Sequence, residues 1–443
     1  MKRSHTRAFK VCFSLFACSL FVFSPWPFAG IVRITAQDKP NFIFILADDM
    51  GYADLGADGS GIDTPYLDQL AREGLKFTRF YAQSSICSPT RAAFLTGRYP
   101  HAVGVPELAS PNVRGSVPKL HLYLDAVTIP EALKPLGYRS MLAGKWHLGY
   151  DQPYWPRQHG FDEFWGSLLG TPKYYDPAET YHNETKITVA GHFTDRITDN
   201  AVRFIRENSG RPFFLYLAYN APHFPLEAPQ ALINKYRSVF ADDRFAVYAA
   251  MIEQMDAGVG RVLETLDALD LTQRTFVFFT SDNGPSAEKA SYGPPGARIS
   301  AGTLRGHKKR LYEGGIRVPA IARWPGHIRP GSVTGSVATI MDLFPTYLDI
   351  LGVAPRPGTV MDGASMRPLL LGANRDVHEV LHWQVRRMYV VMKGKWKLVR
   401  DLDVKHPELY NLDDDVSESR NLADRYPKIT KELVDLHESK FGD

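Results

Sequence analysis

Cysteine is nearly missing from this sequence: there are three in 443 residues, at Cys12, Cys18 and Cys87. The first two lie in a leader-like segment, so a processed chain keeps Cys87 alone, which excludes an intramolecular disulfide framework. Long apolar runs are missing too. The run from Val11 to Phe23 is too short to span a bilayer comfortably. Neither sign of charge dominates, with 52 Lys and Arg against 48 Asp and Glu and a formal net charge of +4. No internal repeat, sustained heptad or low-complexity tract occurs, which sets aside solenoids, coiled coils and disordered arrays. What remains is an ordinary globular composition, 44% hydrophobic and 23% charged, on a chain long enough to bury a large core.

Lys2, Arg3, Arg7 and Lys10 precede the apolar run, and small residues follow at Ala29-Gly30 and Thr35-Ala36. That order predicts a secretory signal peptide over residues 1–36, and therefore an exported, periplasmic or secreted protein. No stable membrane insertion is expected after cleavage; an uncleaved N-terminal anchor is the competing reading. Leu15-Phe16-Ala17-Cys18 makes a poor lipoprotein site because Phe16 is bulky. Residues 1–36 hold five Lys or Arg and no Asp or Glu, so their removal takes the net charge from +4 to −1. The basic balance belongs to the leader, and no argument for a nucleic-acid partner follows from it.

Asn41 to Ala47, Tyr138 to Ala143, Phe213 to Ala218 and Thr275 to Thr280 read as strands buried on both faces. Between them, Thr64-Pro65 opens a helix stopped by Gly74, and a capping-box spacing at Thr128 and Glu131 opens another. Thr198 to Asn208 and Phe245 to Leu269 also read as helices, the second despite Gly258 and Gly260. Residues 151–193 show no period and read as loop, and Val318 to Ala322 as a further strand. Strands alternating with helices predict an α/β fold, a large mostly parallel sheet flanked by helices on both faces. From about Arg375 the pattern changes to closely spaced strands at Val380–Val385, Met388–Met392 and Trp396–Arg400, then a helix over Ile429–Phe441. This predicts a smaller C-terminal α+β domain, an antiparallel sheet plus a helix. The expected organisation is a signal peptide over 1–36, a catalytic α/β domain over 37–374 and the C-terminal subdomain over 375–443.

Polar groups follow four of the buried strands: Asp48-Asp49, Lys145 with His147, His223, and Asp282-Asn283. Ligands of open α/β sheets bind beyond the carboxyl ends of the strands, so these groups are expected to meet. Asp48, Asp49, Asp282 and Asn283 offer only oxygen ligands, and burying adjacent carboxylates without a cation is costly. Hard oxygen donors favour Ca²⁺ or Mg²⁺ over zinc, although either pair alone also reads as a strand-end cap or turn. Cys87 lies where a loop feeds a helix, with Pro89 suited to the first turn and Gly97 to the end. A thiol at the positive end of a helix is expected to ionise more easily, with Arg91 on the same face. Singly, Cys87 also reads as a small buried hydrophobe, and Lys145, His147, His223 and Lys308 as solvated or structural residues.

Cys87-Ser88-Pro89-Thr90-Arg91 has the form C-x-P-x-R, and with Leu95-Thr96-Gly97-Arg98 it resembles the signature of the type I sulfatases, in the alkaline-phosphatase-like superfamily. The Gly144-Lys145-Trp146-His147-Leu148-Gly149 run is similar to a second motif of that family. Pro222-His223, Lys308 ahead of Glu313-Gly314-Gly315, and Glu408-Leu409-Tyr410-Asn411-Leu412 extend the likeness over nearly the whole chain after the leader. The resemblance implies that a maturation enzyme oxidises Cys87 to formylglycine (3-oxoalanine), whose hydrate attacks sulfur. It implies Ca²⁺, ahead of Mg²⁺, on Asp48, Asp49, Asp282 and Asn283, with residue 87 as a further ligand. Lys145, Lys308 and His223 would then contact the ester, Arg91 would support the hydrate, His223 would protonate the leaving oxygen and His147 would take the hydrate proton. The implied activity is hydrolysis of a sulfated carbohydrate or other sulfate ester. Lys309-Arg310 departs from the family, which often has small residues there; this extra charge faces solvent or binds a polyanionic substrate. Two alternatives share these residues: a phosphomonoester or phosphonate ester hydrolase of the same fold, and a non-catalytic sulfated-glycan binding protein.

Overall fold

Strand β1 (Asn41–Ala47) is buried along its whole length and lies in the middle of a ten-stranded sheet. The computed structural model describes residues 39–110, 119–286, 300–401 and 404–442; the expected signal peptide, with Cys12 and Cys18, lies outside the described residues. The sheet continues in sequence with β2 (Leu75–Phe77), while β3 (Phe80–Tyr81) pairs elsewhere. Then come β4 (Arg139–Lys145), β5 (Glu163–Ser167), β6 (Thr180–His182), β7 (Thr185–Ile187), β8 (Phe213–Ala218) and β9 (Thr275–Ser281). β10 (Ala320–Arg323) and β11 (Ser332–Thr334) complete it, and β12 (Ala338–Thr339) forms a separate pair with β3. The spatial order is β11-β2-β10-β9-β1-β8-β4-β5-β6-β7. β9, β1, β8, β4 and β5 run parallel, whereas β10 and the β6–β7 hairpin run antiparallel to their neighbours.

Alternation along β1 divides the core. Phe42, Phe44 and Leu46 pack with residues of α2 (Cys87–Thr96), α3 (Ile129–Leu133) and the helix Leu343–Ile350. Ile43, Ile45 and Ala47 face the opposite layer, built from α1 (Pro65–Glu73), α4 (Phe193–Glu207), α5 (Gln230–Arg237) and α6 (Asp243–Ala268). Side chains alternate across a strand, so a strand covered on both faces must be apolar throughout. The glycines inside α6 answer to packing. A Cβ at Gly258 would meet Thr198 Oγ1 at 2.5 Å, and one at Gly260 would meet the Tyr66 ring at 2.5 Å.

Residues 151–193, expected as loop, contain β5 and the β6–β7 hairpin, and α4 begins at Phe193 rather than Thr198. β5 is five residues, Glu-Phe-Trp-Gly-Ser, with no alternation to announce it. Pairing with β4 makes it a strand, and that pairing needs bare backbone, since a Cβ on Gly166 would meet the Gly144 carbonyl oxygen at 1.9 Å.

A second sheet, β13 (Val380–Val385), β14 (Met388–Lys393), β15 (Trp396–Asp401) and β16 (Glu408–Asn411), is antiparallel throughout. One face packs Tyr389, Val391, Leu398 and Leu409 on Leu433 of the closing helix Pro427–Phe441. The other packs Leu381, Trp383 and Val390 against Tyr81, Ile86, Leu311 and Ile316 of the preceding chain. Among the described residues no helix is long and apolar enough to cross a membrane.

Phe44 holds α2 against the sheet: its ring stacks on Phe94 with centroids 3.7 Å apart and lies 5.5 Å from Tyr216. Phe44→Ala should destabilise the fold by about 3–5 kcal/mol, read as a lowered urea midpoint. A midpoint equal to that of the parent chain would contradict the packing described.

Candidate active site

The carboxyl ends of the parallel strands deliver the polar groups to one place. Asp48 and Asp49 follow β1, Lys145 is the last residue of β4 with His147 two beyond, His223 follows β8, and Asp282 and Asn283 follow β9. Cys87 is the first residue of α2, after Ile86 in extended conformation, and Gly97 ends that helix in the left-handed region. Lys308 comes from the segment before the helical turn Glu313–Ile316.

Cys87 Sγ donates to Asp48 Oδ1 at 3.5 Å, and Lys308 Nζ lies 3.1 Å from the same sulfur. Lys308 also pairs with Asp49 Oδ1 at 2.6 Å, and Lys145 pairs with Asp48 Oδ2. Arg91 turns its guanidinium toward Asp282 Oδ2, at 2.7 Å from Nη2 and 3.1 Å from Nε, with Asp48 Oδ2 at 3.5 Å. Its third contact is the Lys145 carbonyl, at 3.1 Å. The Asp49 amide donates to Asp282 Oδ1 at 3.3 Å, and Asn283 Nδ2 donates to Asp49 Oδ1 at 2.7 Å, so the two acidic groups share one end of the sheet. Three buried carboxylates are thus balanced by three buried cations.

A hard divalent cation fits this donor set. Asp48, Asp49, Cys87 and His223 each present a ligand atom, all within 4.8 Å of one another. Asn283 Oδ1 is buried and has no hydrogen-bond partner among the described residues, although its amide nitrogen bonds Asp49 and the Gly284 carbonyl. Such an orphaned oxygen among carboxylates suits Ca²⁺ or Mg²⁺ coordination. His223 points the same way. Its Nδ1 bonds the Phe224 carbonyl at 2.5 Å, and a carbonyl only accepts, so in the neutral ring the proton sits on Nδ1. Its bare Nε2 then faces Asp49 Oδ2 at 3.7 Å, two acceptors with room for a proton or a cation between them.

Burial dominates the titration of the site. Burial would raise the Asp48 carboxyl, but Lys145, His223, Arg91 and Lys308 together hold it well below its ordinary range. Asp282 is pushed up to about 6 by burial and by Asp48, against Arg91. Burial and Lys308 lower His223 to about 4, and burial and Lys145 hold His147 well below its ordinary value, so both imidazoles are neutral at pH 7. The Cys87 thiol corrects an expectation. A helix N-terminus was expected to ease its ionisation, yet burial and the charge of Asp48 raise it to about 12. The dipole is worth about 0.3–1 kcal/mol near a surface, too little to offset full desolvation beside a carboxylate. His147 adopts φ 62°, its Nδ1 is buried without a partner among the described residues, and Gly170 lies close against its ring.

Two supporting clusters escaped the sequence reading. Asp49 sits at φ 68°, a left-handed conformation uncommon outside glycine. The Asp54 carboxylate braces that turn, accepting from the Gly51 amide at 2.6 Å, from Ser300 Oγ at 2.8 Å and from the Tyr248 hydroxyl. Buried Lys397 of β15 pairs with Glu313 at 2.8 Å and Glu418 at 2.9 Å, tying the second sheet to the segment that carries Lys308. A lysine at an inward position of a strand was the available signal for the second cluster. The first had only the Gly51-to-Asp54 spacing.

Comparison with known proteins adds an independent line. The family model described as sulfatase matches residues 40–353, and that described as N-sulphoglucosamine sulphohydrolase, C-terminal, matches residues 305–440. The chain is 34% identical to arylsulfatase A of Bos taurus, over 90% of this chain and 87% of that protein. It is 35% identical to N-acetylgalactosamine-6-sulfatase of Mus musculus, over 83% of this chain and 73% of that protein. Among solved structures, Ps i-CgsB in complex with k-i-k-neocarrahexaose matches with a TM-score of 0.82 and 30% identity, covering 90% of this chain and 92% of that one.

The raised thiol has a direct consequence in unconverted, cation-free protein. Because the shift is upward, Cys87 is protonated at pH 8, and its thiolate appears only as the pH approaches about 12. Iodoacetamide should label native protein at pH 8 far more slowly than urea-unfolded protein, with the rate climbing as pH rises. Rapid native labelling at pH 8 would refute the assignment.

Proposed function

Because the chain belongs to the sulfatase family, and is a sulfatase, we propose that it hydrolyses sulfate esters of carbohydrates by way of formylglycine made from Cys87, with Ca²⁺, ahead of Mg²⁺, held nearby. The observation that carries this reading is the convergence of Asp48, Asp49, Cys87 and His223 within 4.8 Å, with Lys308 3.1 Å from the sulfur. Names borne by relatives, N-acetylgalactosamine-6-sulfatase and the neocarrahexaose complex, support a sulfated galactosaccharide as substrate. The charged leader-like segment supports export, and the antiparallel sheet beginning at Val380 supports a division into residues 37–374 and 375–443.

Hydrolysis of a sulfate ester requires an oxygen nucleophile, neutralised sulfuryl oxygens and a proton for the leaving alcohol. Formylglycine at residue 87 would supply the first as its hydrate; a cysteine has no oxygen to offer, and a serine has no second hydroxyl through which sulfate could be released again. Asp48, Asp49, Asp282 and Asn283 would hold the cation, which would supply charge neutralisation and an acidifying field there. Lys145 and Lys308 are the groups that bind the sulfuryl oxygens, being already inside the site and already cationic. Arg91 acts from behind, holding Asp282 and Asp48 in position. His223 holds a proton at Nε2 for the leaving oxygen once an anionic ester raises its basicity. His147, neutral and with an Nδ1 that has no partner among the described residues, takes a proton from residue 87.

Peptide mass spectrometry of active protein should find sulfur replaced by oxygen at residue 87. Cys87→Ala should abolish sulfate release while leaving the unfolding midpoint close to that of the parent. Full activity with an intact thiol would sink the formylglycine reading, and release of phosphate but not sulfate from aryl esters would move the substrate to phosphate esters.

A panel of sulfated galactose and N-acetylgalactosamine saccharides, beside nitrophenyl sulfate, separates the two histidines. Nitrophenolate leaves without a proton, whereas a sugar alkoxide does not. His223→Ala should therefore slow saccharide turnover by about 10²–10⁴-fold and nitrophenyl sulfate much less. The His223-dependent part should fall as pH rises, since only the protonated ring donates. His147→Ala should slow both substrates, and equal losses from His223→Ala on both would overturn the assignment.

A further inference from the structure

We infer that Phe224 and Tyr175 form a platform on which the sugar ring of the leaving alcohol stacks, beside His223. The inference rests on the carbohydrate sulfate reading above and extends it to a binding surface for the leaving group.

Phe224 is the exposed phenylalanine among the described residues, at 61%, and no other aromatic ring contacts it there. Single exposed apolar residues are common on protein surfaces and mean little alone. Position distinguishes this one. It directly follows the histidine whose Nε2 faces Asp49, and its own carbonyl receives the Nδ1 hydrogen bond that orients that ring. In this inference an alcohol that takes its proton from His223 lies alongside residue 224.

Tyr175 reaches the same loop by a separate path. The Tyr174 hydroxyl donates to the His223 carbonyl at 3.0 Å. The amides of Tyr174 and Tyr175 both donate to the Glu227 carboxylate, at 2.7 and 3.3 Å. At its other end the segment closes on His147, because a Cβ on Gly170 would lie 2.6 Å from that ring. Residues 170–175 therefore run from one histidine to the other. They present Tyr175, 44% exposed and edge-on to His192 at 4.9 Å, and exposed Lys173, which has no ion-pair partner among the described residues.

The chemistry of this rim favours a sugar. A pyranose offers a C–H face to an aromatic ring and a ring of hydroxyls to polar neighbours. Lys173 and Asp176 flank Tyr174 and Tyr175 in the chain and are exposed, and Glu227 holds the Tyr174 and Tyr175 amides, so polar groups accompany the aromatic ones on these two segments.

The test uses full-length, converted enzyme and its Phe224→Ala and Phe224→Trp variants, with the best saccharide of the panel, nitrophenyl sulfate, and inorganic sulfate as inhibitor. Phe224→Ala should raise KM for the saccharide about tenfold, the effect falling on KM rather than kcat. Inorganic sulfate should inhibit it as it inhibits the parent, and Phe224→Trp should keep the parent KM. An unchanged saccharide KM in Phe224→Ala would overturn the platform. So would an equal rise for nitrophenyl sulfate, which would assign the residue to any flat leaving group, or a parallel weakening of sulfate inhibition. Parent enzyme that cleaves nitrophenyl sulfate but no saccharide would overturn the platform and leave the sulfatase chemistry standing. Parent enzyme that releases no sulfate from any ester would overturn both.

Discussion

Asp48 ends the central strand with its carboxylate fully buried, and the rest of the site is the set of partners which that burial requires. An isolated ion inside a protein costs several kcal/mol unless it is paired and hydrogen-bonded. Here the partners come from different parts of the chain: Lys145 from the neighbouring region of the sheet, Arg91 from α2 and Lys308 from the segment after β9. Asp49 and Asp282 are compensated by the same three cations. Removing any one cation leaves a carboxylate uncompensated, so the groups that would bind an ester also hold the ends of the central strands together. Catalysis and stability therefore draw on one charge network.

That network is held from two sides. On one, Asp54, Tyr248 and Ser300 brace the left-handed turn at Asp49 by hydrogen bonds. On the other, the second sheet reaches in through Lys397, whose pairing with Glu313 and Glu418 anchors the segment carrying Lys308. Arg305 strengthens that junction by lying over the Tyr312 ring at 3.8 Å and donating to the Tyr410 hydroxyl at 2.6 Å. The C-terminal sheet thus supports an active-site lysine it does not itself contain, and it packs on the same part of the chain through the hydrophobic cluster of Trp383 with Tyr81, Ile86, Leu311 and Ile316.

Much of the fold was legible because burial on both faces leaves a plain mark. Asn41–Ala47 and Phe213–Ala218 were read to the residue, and the strands at Val380, Met388 and Trp396 began where expected. The Cys87 helix was legible from Pro89 and Gly97, whose backbone requirements are local. β5 was not, because five mixed residues with a glycine have no period until β4 lies beside them. The Cys87 thiol was misjudged for a related reason: a helix N-terminus is visible in sequence, whereas a neighbouring carboxylate brought from β1 is not.

The sequence by itself determined the buried strands, the helix that begins at Cys87, the oxygen-rich character of the acidic pairs and the motif that identifies the family. Each of these depends on residues close together in the chain, where propensity, capping and alternation act. Only the tertiary structure decided which charges face one another: that Arg91 turns to Asp282, that Lys308 touches both Asp49 and the sulfur, and that Lys397 is buried between two glutamates. It also decided that Phe224 stays in solvent while every other phenylalanine among the described residues is at least partly covered. Electrostatic energy depends on distance and on the water excluded between charges. Both quantities are set when strands from distant parts of the chain pair in register, and neither is written in any one stretch of it.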